Sequence, residues 1–420
     1  MLSKQVKQYL VITGNYWAFT LTDGALRMLV VLYFHQLGYS PLNIAMLFLF
    51  YEIFGVITNL VGGWLGARLG LNKTMNIGLG LQIIALSMLA VPADMLTIMY
   101  VMAAQALSGI AKDLNKMSAK SSIKLLVPEG AEGKLYQWVA ILTGSKNALK
   151  GVGFFLGGLL LTLLGFKGAI TLMASCLTVV WLFSLFALKE DLGKAKSKPK
   201  FKKILSKSQS INILSAARMF LFGARDVWFV VALPVFLAVT FNWDHWWVGG
   251  FMATWIIGYG MVQSIAPLLT GSKSKVDKIT NPKTTNIQQD QAPSGRIAFL
   301  WASYLTLIPV AIALALHFNF YIKASLIVGL LIFGVIFAIN SSLHSYLIIS
   351  YADKDGVSLD VGFYYMANAM GRLIGTVLSG LVYQAYGLAA CLWISSAFIA
   401  IAAWLSLKLP KATNKATTLL

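Results

Sequence analysis

Seven basic side chains, Arg27, Lys112, Lys146, Lys150, Arg218, Arg225 and Arg372, lie inside long apolar stretches, and four acids accompany them there: Asp23, Glu52, Asp113 and Asp226. Lys146 and Lys150 are four residues apart and Arg218 and Arg225 seven, so each pair shares one face of a helix. Arginine offers a planar fork that matches the oxygens of phosphate, arsenate or carboxylate, whereas lysine offers a mobile point charge. A mixed set suits a small organic anion carrying several charges and suits a greasy cation badly. Local neutralisation is the competing use, because Asp23 is spaced for an i,i+4 pair with Arg27 and Arg225 adjoins Asp226. Seven cations against four acids still leave an excess of three positive charges. Inside a protein that excess needs water, lysines that shed their proton, or an anionic ligand. The candidate anion ligands are Arg27, Lys112, Lys146, Lys150, Arg225 and Arg372. Lys112, Lys116, Lys120 and Lys124 recur at every fourth position, but the last three are expected at or past the cytoplasmic end of their span. His344 is expected to be a packing or cavity residue.

The elements that position these groups are membrane spans. Of 420 residues 58% are hydrophobic and 12% charged, with a mean hydropathy of +0.73. No soluble domain hides that much apolar surface, so the chain is expected to be an all-α integral membrane protein. Twelve runs are long enough to cross a hydrocarbon core of roughly 30 Å: about 8–34, 42–66, 75–92, 95–118, 135–165, 168–188, 211–238, 246–270, 297–316, 321–344, 361–386 and 388–408. The opening MLSKQVKQYL leads into the first run without a small-residue cleavage site, which reads as an uncleaved span. Of the 34 Lys and Arg, 25 fall in the termini and the even-numbered connections or, as Lys116 and Lys408 do, at the span ends beside them, and Lys167 and Lys323 alone fall on the other side. Positive charge marks the cytoplasmic side, so both termini are expected there. The net charge of +19 and runs such as KAKSKPKFKK (194–203) are thereby read as topology signals, not as a nucleic-acid surface. Trp243, Trp246 and Trp247 fit an interfacial aromatic belt on the far side. Cys176 and Cys391 stand alone in apolar spans, so no metal, thiol or cofactor chemistry is expected.

Residues 189–210 are polar and basic and divide the spans into two halves, 1–188 and 211–420. The halves echo one another. Lys150, Gly153, Gly158 and Gly165 pair with Arg372, Gly375, Gly380 and Gly387 at a constant offset of 222. Gly24-Ala25 pairs with Gly223-Ala224, and Phe54-Gly55 with Ile257-Gly258. Lys150 is the midpoint of its span and Arg372 lies two residues from the midpoint of its own, so both are expected near the bilayer centre. Two six-span bundles joined by a basic loop resemble the major facilitator superfamily. The usual cytoplasmic motif after the second span is degraded: in GWLGARLGLNK (63–73), Gly63, Arg68 and Gly70 match while Ala67 replaces the acid. The resemblance implies that spans 3, 6, 9 and 12 face lipid, and those four carry no Asp, Glu, Lys or Arg except Lys408 at the very end of the last. A mid-membrane charge costs at least about 2.5–3.5 kcal/mol, so charges belong where protein or water meets the helix. Gly151, Gly153, Gly157 and Gly158 in turn read as helix-packing residues.

Four stretches, QYLVITGNYWAFTLTDGALRMLVVLYFHQLGYSP (8–41), GIAKDLNKMSAKSSIKLLVPE (109–129), GSKNALKGVGFFLGGLL (144–160) and ILSAARMFLFGARDVWFVVALPVF (213–236), resemble the ArsJ family of organoarsenical-efflux permeases. The resemblance implies export of 1-arseno-3-phosphoglycerate across a bacterial inner membrane by alternating access, conferring arsenate resistance. It also implies a functional link to glyceraldehyde-3-phosphate dehydrogenase, which forms that ester from arsenate. Should a proton be coupled, Asp23, Glu52 or Asp226 would carry it. Two other readings remain open: a carrier of another organic phosphate or carboxylate, proton- or phosphate-coupled, and a non-transporting membrane sensor or partner protein. An enzyme is not expected, since the chain has no nucleophile elbow and no HExxH.

Overall fold

Long runs of Leu, Ile, Val, Ala and Phe with few interior prolines leave the backbone one way to satisfy its amides away from water, which is the helix. The structure is a computed structural model that describes residues 4–39, 47–128, 130–188, 192–195, 207–243, 245–270 and 293–410. Among these residues there is no strand. In chain order the helices are α1 (Lys4–Gln36), α2 (Leu49–Leu69), α3 (Leu71–Leu89), α4 (Ile98–Leu126), α5 (Glu132–Ala187), α6 (Gln209–Phe229), α7 (Ala232–Phe241), α8 (His245–Leu269), α9 (Gly295–His317), α10 (Ile322–Tyr351) and α11 (Val357–Leu407). Seven helical segments among the described residues are long and apolar enough to cross a membrane. Most of the basic run 194–203, the long connection 271–292 and the side chain of Trp246 lie outside the described residues.

Two helices are too long to be single spans. At about 1.5 Å per residue, the 56 residues of α5 would exceed twice the hydrocarbon thickness if straight. Each is broken at a glycine. Gly165 in α5 has φ 68° and ψ 178°, and Gly387 in α11 has φ 74° and ψ −174°. These two are a pair in the 222-residue offset, Gly165 as the last residue of the fifth expected span and Gly387 between the eleventh and twelfth. That backbone region is open essentially to glycine alone, and a side chain there costs of order 1–3 kcal/mol. Gly165→Ala and Gly387→Ala are each expected to destabilise the purified protein by that amount, read as a lower unfolding midpoint. An unchanged midpoint in both would show that the breaks carry no strain.

The seventh expected span is also broken, between α6 and α7. Ser379 Oγ accepts from the amides of Val231 and Ala232 at 3.3 and 3.1 Å, which satisfies donors that the interrupted helix has released. Phe155, Leu163, Val179, Phe186, Val239, Leu268 and Leu307 point outward, as lipid-facing side chains do. Inside, one apolar core gathers Tyr16, Phe19, Leu26, Phe34 and Tyr136, and a second, drawn from residues 221–403, gathers Trp228, Trp255, Phe333 and Phe337.

The first and second halves of the chain meet along α2 with α11 and along α5 with α8. Backbones touch at Gly63 and Gly362: a Cβ on Gly63 would lie 2.5 Å from Ser358 O, and one on Gly362 2.6 Å from Asn59 O. Ser358 Oγ donates to Gly63 O at 2.8 Å, so a neutral hydroxyl serves the motif from which the acid is missing. The expected glycine packing in α5 is present as well, with Gly153 and Gly157 against the backbone of α1 at Leu21 and Ala25. Close approach of α1 and α5 is what brings Arg27 and Lys150 toward the same interior space.

Candidate functional site

At the centre of the bundle the arginines form a chain with two carboxylates. Arg27 Nη2 donates to Glu52 Oε1 at 3.0 Å, and Arg372 Nη2 reaches the same oxygen at 3.5 Å from the other half of the chain. Arg372 Nε also donates to Asp226 Oδ2 at 3.1 Å, and Arg225 Nε donates to Asp226 Oδ1 at 2.6 Å. The Arg225–Asp226 pair is the one expected from adjacency. The Asp23–Arg27 pair is not present: Asp23 Oδ1 accepts from the Tyr51 hydroxyl at 2.7 Å instead. The start of α2 explains the exchange. Phe48 and Tyr51 place their rings 5.1 and 4.7 Å from the Arg27 guanidinium, and Glu52 follows to take its N–H.

Solvent access divides the two carboxylates. Asp226 is 1% exposed and clamped between two guanidinium groups, whereas Glu52 is 34% exposed between Arg27 and Arg372. Glu52 is therefore the carboxylate that an entering solute meets.

The lysines behave differently. Lys112, Lys146 and Lys150 are half-buried, and among the described residues none has a carboxylate within ion-pair reach. Lys112 Nζ sits 3.7 Å from the centre of the Tyr51 ring, Lys150 lies 6.0 Å from that of Phe154, and Lys146 donates to Asn147 Oδ1 at 3.3 Å. The excess positive charge of the sequence thus resides on these lysines and on Arg218, while Arg27, Arg225 and Arg372 share the two acids Glu52 and Asp226. Ammonium groups so placed are chemically suited to oxyanions, as are the arginine forks where Glu52 is not between them.

α4 runs on past residue 118, where the expected span ends. The helix continues to Leu126, so Lys116, Lys120 and Lys124 are helical. Lys116 pairs with Asp113 at 2.6 Å, and Lys124 donates to Ser350 O at 2.8 Å. Lys120 is only 3% exposed and its ammonium contacts the Tyr365 hydroxyl from the other half of the chain. The four-residue repeat that placed Lys112 on an interior face held the signal for Lys120, and the expected helix end masked it. Arg218 is likewise 3% exposed, donating to Asn368 Oδ1 at 2.9 Å and to Ser341 O and Oγ at 3.1 Å. His344 is fully buried, with Nε2 3.5 Å from Ser406 Oγ. No group of His, Cys, Asp and Glu among the described residues is arranged to hold a metal ion.

Charged groups converge between two sets of spans, lipid-facing apolar surface surrounds them, and the sequence profile of the Major Facilitator Superfamily matches residues 12–359. The chain belongs to the major facilitator superfamily. It is a multi-pass membrane protein of a transporter family. Solved structures of this superfamily share the fold along nearly the whole chain. The human organic anion transporter MFSD10 (TETRAN) aligns with a TM-score of 0.73 at 15% identity, covering 96% of this chain and all of that one (100%). A bacterial homologue of the iron transporter ferroportin, in an outward-facing state, aligns at 0.71 and 14% identity, covering 95% of this chain and 99% of the other. The E. coli fucose:proton symporter FucP aligns at 0.70 and 11% identity, covering 97% and 100%. At these identities the likeness is one of fold. No curated protein matches the sequence. Within the superfamily fold, the lysines of α4 and α5 and the arginines of α1, α6 and α11 surround the region between the two halves.

Proposed function

We propose that this major facilitator protein exports a small organic oxyanion with more than one acid group, 1-arseno-3-phosphoglycerate, and so confers arsenate resistance. The observation that carries this reading is the trio Lys112, Lys146 and Lys150, half-buried and without a carboxylate partner among the described residues. Beside them Arg27 and Arg372, from opposite halves, share the semi-exposed Glu52. A substrate anion replaces Glu52 between the two arginines and takes the lysine charges as well, so it couples the halves that must rock against each other. In this reading residues 1–188 and 211–420 are two six-span bundles, and 189–210 is the cytoplasmic connection between them. Both termini are cytoplasmic and the membrane is the bacterial inner membrane. An anion leaving the cell moves down a negative-inside potential, worth about 2.3 kcal/mol per charge per 100 mV, so no coupled proton is required. Among Asp23, Glu52 and Asp226, Glu52 is the acid with the freest access should one be coupled.

The substrate identity rests on the resemblance of the four quoted stretches to the organoarsenical permeases, and the unpaired lysines support it chemically. The test is arsenate tolerance in cells lacking other arsenic exporters, given this gene with or without glyceraldehyde-3-phosphate dehydrogenase activity. Tolerance is expected with the dehydrogenase alone. Equal tolerance without it would overturn the arsenoester, and phosphate-driven counterflow in proteoliposomes would point to another organic phosphate.

A further inference from the structure

The proposed site does not account for Lys120 and Arg218. Each is 3% exposed, and among the described residues neither has a carboxylate in ion-pair reach. Lys120, on α4, contacts the Tyr365 hydroxyl and lies 4.8 Å from its ring centre. Arg218, on α6, lies 5.3 Å from the ring centre of Tyr364, and the two tyrosine rings are 5.0 Å apart. Lys120 also feels the positive charges of Arg218, Lys146 and Lys116, and of these only Lys116 is matched by an acid. Buried cations that repel one another are stabilised by an anion. A second observation points the same way. The hydroxyls of Tyr364 and Ser345 are fully buried and make no hydrogen bond of good geometry, with Ser345 beside both tyrosines as the nearest hydroxyl. Unused O–H donors next to unpaired ammonium and guanidinium groups are what an oxyanion binds.

Helix geometry sets this cluster apart from the arginine–Glu52 chain. Lys120 follows Lys112 by eight residues on α4, Arg218 precedes Arg225 by seven on α6, and Tyr365 precedes Arg372 by seven on α11. At about 1.5 Å per residue, each helix separates the two levels by roughly 10–12 Å. Lys146 and Lys150 bridge the levels on α5. The lower level lies one turn from the Gly63–Gly362 contact, since Tyr365 follows Gly362 by three residues.

We infer that Lys120, Arg218, Tyr364 and Tyr365 form a second oxyanion subsite, which holds one acid group of the transported molecule while the other lies at Arg27, Lys150 and Arg372. This rests on the anion-export reading above and deepens it, making the carrier selective for molecules acidic at both ends.

The test uses purified full-length protein and two stable probes, 3-phosphoglycerate, with an acid at each end, and glycerol 3-phosphate, with one. A charge-assisted contact corresponds to about a tenfold or greater affinity gain, so wild-type protein is expected to prefer 3-phosphoglycerate by at least that factor. Lys120→Gln and Arg218→Gln are each expected to cut the preference below about threefold while leaving glycerol 3-phosphate affinity within about twofold. Arg218→Lys retains charge and is expected to restore much of the preference. Lys150→Gln is expected to weaken both probes together. Should the glutamine variants fail to fold, Tyr365→Phe decides, with a partial loss of preference expected at an unchanged melting temperature. A full preference in well-folded Lys120→Gln or Arg218→Gln protein, or in Tyr365→Phe where that variant decides, would overturn the subsite. Equal wild-type affinity for both probes would overturn it and leave the anion reading standing. Binding of neither probe to wild-type protein would overturn both.

Discussion

Asp226→Asn is expected to destabilise the folded protein by about 3–5 kcal/mol, the largest single effect among the site residues. The carboxylate is 1% exposed and accepts from Arg225 at 2.6 Å and from Arg372 at 3.1 Å, so its loss strands two guanidinium groups at once. Arg225 would keep the faces of Phe222, Phe229 and Phe337, whose ring centres lie 4.9, 5.8 and 5.7 Å away. Cation–π contacts of this kind are worth roughly 0.5–2 kcal/mol and do not replace a buried carboxylate. Arg372 would retain Glu52 alone, at 3.5 Å. Glu52→Gln should behave differently in the same assay. Its partners are 26% and 31% exposed and it is itself 34% exposed, so solvent screens the pair and the loss should stay within about 1 kcal/mol. The comparison is made on purified protein by thermal or denaturant unfolding in one detergent. An Asp226→Asn midpoint no lower than that of Glu52→Gln would show that the buried clamp does not hold α6 to α11.

The contrast between these carboxylates was beyond the reach of sequence reading, and the reason is geometric. Spacing along one helix predicts i,i+4 partners, so Asp23 was matched to Arg27. Pairing across helices depends on how the first turn of α2 approaches α1, which delivers Tyr51 to Asp23 and Glu52 to Arg27. Adjacency sufficed for Arg225 and Asp226 because no tertiary contact was needed to bring them together. The glycines at offset 222 were legible for a related reason. A break with φ near 70° imposes its residue type locally, so the repeat pair Gly165 and Gly387 proves to be the same break in the two halves. Helix ends were the weakest inference. Lys120 carries the hydropathy of a solvated residue, yet α4 runs on to Leu126 and turns that ammonium toward Tyr365. Hydropathy registers the desolvation cost of a lone lysine but not a hydroxyl that a distant helix supplies.

In the anion-export reading proposed above, Glu52→Gln is expected to slow net export roughly a hundredfold while leaving anion exchange within a few-fold of wild type. In the unloaded carrier Glu52 lies between Arg27 and Arg372, one guanidinium from each half, and offsets part of the positive charge there. Reorientation of the empty protein carries that balance through the bilayer. Without the carboxylate, one more uncompensated charge makes the passage, at a cost of about 2.5–3.5 kcal/mol near mid-membrane. Each 1.36 kcal/mol on a barrier is tenfold in rate, which gives the expected factor. A loaded carrier escapes the penalty because the substrate supplies the missing negative charge, and its affinity should rise, having no carboxylate to displace. Proteoliposomes separate the two steps: net efflux into anion-free medium requires the empty return, whereas exchange of labelled for unlabelled 3-phosphoglycerate does not. Equal slowing of both would mean that Glu52 takes part in substrate binding itself. No slowing of either would mean that the arginines need no stand-in for the departed anion. A variant that exchanges rapidly but exports slowly would identify Glu52 as the group that makes this carrier a net exporter, with Arg27 and Arg372 held by an acid at every stage of the cycle.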